Sequence, residues 1–131
     1  MVIVSILVAA AVMWMLGAAW YSPALFAKAW GREAGVNMEQ KPDGKTLMKM
    51  FGGSFLLMVF GAAILDCILT SWAPGQGFAH GLAVGFLGGM LAAVVTGINY
   101  VYESRSLKLF AINVGYDIVG FSLMGLVLSA F

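Results

Sequence analysis

All seven basic residues of this 131-residue chain fall in two short stretches, Lys28 to Lys49 and Arg105 to Lys108, and the sequence around them is overwhelmingly apolar. A bilayer's hydrocarbon core is crossed by about 20 predominantly apolar residues in a helix. Four runs reach that length: residues 1–21, 51–72, 78–102 and 107–131. Apolar types make up 62% of the chain and charged types 10%, against about 45–50% and about 25% in soluble domains. A water-soluble protein this short has too little interior to hide such a surface. The expected fold is all-α: a single transmembrane domain over residues 1–131, with four spans in the lipid bilayer.

Composition also narrows the function. The net charge is +1, and no concentrated basic face exists for nucleic acid, so no nucleic-acid partner is expected. Cys67 is the single cysteine, which excludes an internal disulfide and a Cys-rich metal module. The chain opens directly into Val2-Ile3-Val4 without the basic region of a secretory signal, so the first run reads as a retained helix.

Basic residues near span ends favour the cytoplasmic side. Lys28, Arg32, Lys41, Lys45 and Lys49 lie in the loop 22–50, and Arg105 and Lys108 follow the third span, whereas Ala73-Pro74-Gly75-Gln76-Gly77 carries no charge. This asymmetry predicts both charged loops inside and both termini outside. The uncharged segment, with its Pro and Gly, predicts a tight helical hairpin. Trp20, Tyr21, Trp72, Tyr100 and Tyr102 stand at span ends, where amphipathic rings favour the headgroup level.

Within the first loop, Ser22 reads as a helix cap and Pro23 as a first helical residue. The run Ala24 to Ala34 then sets Leu25, Phe26, Ala29 and Trp30 against Lys28, Arg32 and Glu33. That pattern predicts a short amphipathic helix in the headgroup layer, ended by Gly35. Asn37 to Thr46 reads as a polar link.

The string Gly17-Ala18-Ala19-Trp20-Tyr21-Ser22-Pro23-Ala24-Leu25-Phe26-Ala27-Lys28-Ala29-Trp30 resembles the opening of a bacterial integral membrane family known as domain of unknown function 1761. Asn113-x-Gly115-Tyr116, followed by Met124-Gly125, is similar to that family's closing helix, although Phe131 stands where a Trp is expected. The resemblance implies a four-helix protein of a bacterial inner membrane. It brings no activity and no functional residue.

Span three carries Gly81, Gly85, Gly89, Ala93 and Gly97, small residues at every fourth position. In lipid, helices associate where small residues let backbones approach. A helix-packing face is therefore expected, with the partner either inside the chain or in another copy. Ser122, Gly125 and Ser129 form a shorter stripe of this kind on span four.

Two carboxylates fall inside spans. Asp117 lies about 15 Å along span four from its loop end, at 1.5 Å per residue, with Asn113 one turn before it on the same face. An acid at the centre of a spanning helix costs about 2.5–3.5 kcal/mol on insertion scales. Lys108 is about 13 Å away along the helix axis, so Asp117 is expected to face the bundle interior, hydrogen-bonded rather than ion-paired. Asp66 and His80 lie near the opposite boundary, and together with Ser122 form a second candidate polar group. Their spacing matches no metal-ligand motif, and no metal, cofactor or catalytic residue is predicted.

Two functions from different classes follow. An accessory or assembly component, forming a homo-oligomer or joining a membrane complex through its Gly-rich helices, is the first. The alternative is a small oligomeric transporter or channel with Asp117 in a polar path and an unknown ion or small-molecule substrate. A membrane enzyme is disfavoured, since no nucleophile–base pair is visible.

Overall fold

The computed structural model describes residues 2–37, 40–72 and 77–131. They form α1 (Val2–Trp20), α2 (Ala27–Ala34), α3 (Gly44–Cys67), which widens into a π-helical turn at Ile68–Trp72, α4 (Phe78–Tyr102) and α5 (Leu107–Leu128). No strand occurs among the described residues. Four helices, counting α3 with its π turn, are long and apolar enough to cross a membrane. The hairpin segment 73–76 lies outside the described residues.

Local chemistry sets the helix ends. The Asp43 side chain accepts a 2.8 Å hydrogen bond from the Thr46 N–H and starts α3 at Gly44. The polar link is thus shorter than hydropathy suggests, and Lys45 and Lys49 extend the helix outside its apolar part. That hydrogen bond from Thr46 holds the Asp43 carboxyl below the usual carboxylate range. Ser106 caps α5 in the same way, accepting from the Leu109 N–H at 3.1 Å. The α4–α5 connection holds Ser104 at φ 54 and an exposed Arg105–Glu103 ion pair at 3.0 Å, an interaction worth little.

The interfacial helix starts later than Ser22 and Pro23 suggest. Ser22 instead closes a turn: its hydroxyl donates to the Ala19 carbonyl at 2.7 Å, and its own carbonyl accepts from Leu25 and Ala27. With the local donors engaged this way, α2 begins at Ala27. Gly35 ends it in the left-handed region at φ 71, its N–H returning to the Gly31 carbonyl.

Packing centres on α5. On one side runs α4, close enough that its glycines meet backbone. A Cβ on Gly81 would run into the Gly125 carbonyl and Ser129, and one on Gly85 into the Phe121 carbonyl. At Gly89 it would stand 2.6 Å from the Ile118 Cα. Ala93 is buried, and a Cβ on Gly97 would meet the Phe110 ring at 3.1 Å rather than a backbone. The helices are therefore tightest at the α3–α4 end and looser toward the α4–α5 connection.

On its other side α5 receives α1, with Met13 over Gly120, Tyr116 under Gly17 and Trp20 over Gly115. These antiparallel registers put α2, the start of α3 and the α4–α5 connection at one end of the bundle, here the basic end. α3 is held least. It buries only Ala62 and Leu65, leans on α1 through Trp14 against Phe51 and Phe55, and touches α5 where Gly61 meets Phe121. Except for the half-buried Leu47, residues 44–53 are exposed. Ala9, Ala10, Met13, Ala62, Leu65, Tyr116, Met124 and Leu128 form the core where α1, α3 and α5 meet.

Candidate functional site

The polar side chains of the basic half converge on α5. Asn113 is half-buried, and its amide is used at both ends. The Tyr21 hydroxyl, just past α1, donates to its Oδ1 at 2.7 Å. Its Nδ2 donates to the Tyr100 hydroxyl on α4 at 2.6 Å. One residue thereby joins three helices. Next to it, the Trp20 indole N–H donates to the Ile112 carbonyl at 2.9 Å. The Tyr116 hydroxyl donates to the Met13 carbonyl at 3.0 Å. Each removes a polar group from the apolar layer by pairing it across the α1–α5 contact.

Aromatic rings roof this cluster. Tyr21 meets Tyr116 edge-on at 5.5 Å and Trp30 of α2 at 5.8 Å, while Phe26 lies 5.0 Å from Trp20. Part of the apolar side of α2 is thus turned onto the bundle, with Ala27 and Gly31 buried. Lys28 and Arg32 remain exposed.

Asp117 lies one turn deeper on the same helix. It is half-buried, and its charge is within electrostatic reach of the Tyr21 and Tyr116 hydroxyls. Among the described residues it makes no hydrogen bond and no ion pair. This corrects the expected hydrogen bond, for a physical reason: of its electrostatic neighbours, the Tyr21 hydroxyl donates to Asn113 and the Tyr116 hydroxyl to the Met13 carbonyl. The carboxylate has neighbours with donors, but those donors are committed elsewhere.

The residues of the opposite end assemble less. Asp66 is half-buried near the end of α3, its carbonyl accepting the Thr70 hydroxyl at 2.8 Å. His80 is half-buried in the first turn of α4. The Ser122 hydroxyl donates to the Ile118 carbonyl of its own helix at 2.6 Å, and Cys67 is exposed. Among the described residues, no three His, Cys, Asp or Glu side chains are grouped to hold a metal ion.

A family model described as protein of unknown function (DUF1761) matches residues 4–129, nearly the whole chain. The chain belongs to that family. No curated protein matches the chain, and no solved structure does. Membership therefore fixes kinship and leaves chemistry to the residues.

Tyr21, Tyr100 and Tyr116 are the site residues that sequence reasoning did not assign to the cluster. Tyr21 and Tyr100 stand at span ends, where aromatic residues read as headgroup anchors. Asn113, a buried amide needing partners, is the signal that points to them.

Proposed function

We propose that this family member is a small membrane protein that binds a cationic or protonatable ligand at Asp117, within the polar cluster of Tyr21, Tyr100, Asn113 and Tyr116. The observation that carries this reading is the half-buried carboxylate without a hydrogen bond or ion pair among the described residues. A polar group held at that depth is costly unless something meets it. No Lys or Arg lies in the apolar part of any span to do so, and His80 stands near the opposite boundary. We place the basic end inside and both termini outside a bacterial inner membrane, because basic loops are retained on the cytoplasmic side. Ligand then approaches from the cytoplasmic half, where α3 stands clear of the bundle.

The test uses the chain in lipid nanodiscs with 13C-labelled aspartate carboxyls, titrated with ethylammonium. A saturable shift of the resonance assigned to Asp117 by its loss in Asp117→Asn, larger than any shift at Asp43 or Asp66, supports binding. An Asp117 resonance that does not move rejects it.

A second reading, an accessory or assembly component, is supported by α3, which buries two residues and offers the rest of its length. The glycines of α4 no longer support it, since α5 of the same chain occupies them. A monomeric mass by light scattering in mild detergent, with no cross-link from α3 to another protein in native membranes, counts against that reading.

A further inference from the structure

An open crevice of about 240 Å³ lies between α1, α3 and α5, walled by Met13, Leu57, Met58, Phe121 and Met124, with Ser54 and Gly61 on α3. Its lining is almost wholly apolar, and three of its walls are methionines, whose unbranched side chains adapt to irregular guests. On α5, Asp117, Phe121 and Met124 follow at the spacing of one helix face, residues four and seven apart. Asp117 therefore stands one turn from the crevice, toward the basic end. Asp117 does not line the crevice but shares the α5 face of Phe121 and Met124, so together they make a feature with an apolar part and an anionic group beside it on one helix. Tyr21, Asn113 and Tyr100 add hydroxyl and amide groups between Asp117 and that end of the bundle.

We propose that this feature binds a single-chain amphiphile with a cationic head, the head at Asp117 and the alkyl chain along the methionine-walled crevice. The proposal rests on the cation-binding reading of Asp117 and adds the tail. Three observations converge on this ligand class. The crevice is smaller than the roughly 300–1,000 Å³ of drug-sized pockets, which suits one chain rather than a ring system. Charge complementarity selects a cation, because a carboxylate among hydroxyl groups repels an anionic head. Residues 44–50 of α3 are exposed apart from Leu47, so the bundle is less covered at the basic end, the side from which a head group would reach Asp117 about 15 Å along α5.

The experiment compares dodecylammonium, ethylammonium, dodecanol and dodecanoate on the full chain in nanodiscs, scored by the Asp117 carboxyl resonance and, in Asp117→Asn, by the 13C-methyl resonance of the crevice residue Met124, both expressed per mole of lipid. The expected result is at least tenfold tighter binding of dodecylammonium than of dodecanol or dodecanoate. That preference should be lost in Asp117→Asn. Ser54→Phe, which narrows the crevice, should weaken dodecylammonium about tenfold and leave ethylammonium unchanged. If ethylammonium binds and dodecylammonium is insensitive to Ser54→Phe, the amphiphile is overturned while cation binding stands. If neither amine moves the Asp117 resonance, both fall together.

Discussion

Asn113 makes its two hydrogen bonds with chemically different ends of one amide, so no single replacement keeps both. Intramembrane hydrogen bonds average about 0.6 kcal/mol each, which sets the expected loss for Tyr100→Phe. Asn113→Leu should cost about 1–2 kcal/mol, because it also strands the Tyr21 and Tyr100 hydroxyls. Thermal denaturation in detergent checks both, and a variant order with Tyr100→Phe the more damaging would contradict the clamp. Asp43 gives a pH test. Its folded-state pKa lies below the ordinary value because the ionised form accepts from Thr46. Its contribution is therefore full above the ordinary carboxylate range and is lost as pH falls through the lower, folded value. Amide exchange at Thr46 should speed up in that acid window, and Asp43→Ala should exchange fast at every pH. These partners are hard to read from sequence. Tyr21 and Asn113 are 92 positions apart, and a Tyr at a span end has a sufficient local explanation as a headgroup anchor.

At the scale of elements, periodicity was informative and contact identity was not. A four-residue spacing of Gly in α4 says that some backbone comes close. It does not say which one, because the complementary stripe on α5 is short and interrupted by Phe121. The start of α2 escaped for a local reason, since the Ser22 turn overrides the preference of Pro23 for a first helical position. The start of α3 escaped because Lys45 and Lys49 interrupt hydropathy without interrupting a helix. The glycine contact is directly testable. At Gly85 and Gly89 a side chain meets α5 backbone, which cannot swing aside. Gly85→Leu and Gly89→Leu should therefore abolish folding or lower the detergent melting temperature sharply. Leu91→Val, at a position 70% exposed on the outer side of α4, should leave it within a degree or two of wild type, a shift corresponding to under about 0.5 kcal/mol. Equal effects at the three positions would refute the close α4–α5 contact.

Across the whole molecule, α4 packs on one side of α5 and α1 on the other, and α3 leans on α1 with residues 44–50 exposed apart from Leu47, which leaves the basic end of the bundle open on that side. Hydropathy makes the four long helices legible, and their basic loops suggest which way they face. The opening is not legible, because it depends on how little of α3 touches its neighbours, a property no residue of α3 encodes by itself. On the proposed function, Asp117 is reached from the basic end and from that end alone. The most direct measurement introduces Asp117→Cys on a Cys67→Ser background and reconstitutes it in oriented vesicles, with Lys41→Cys as the marker of the basic side. A membrane-impermeant maleimide should label position 117 when added on the side that labels position 41, and not when added on the other. Failure to label from the basic side, or labelling from the opposite side, would contradict the account.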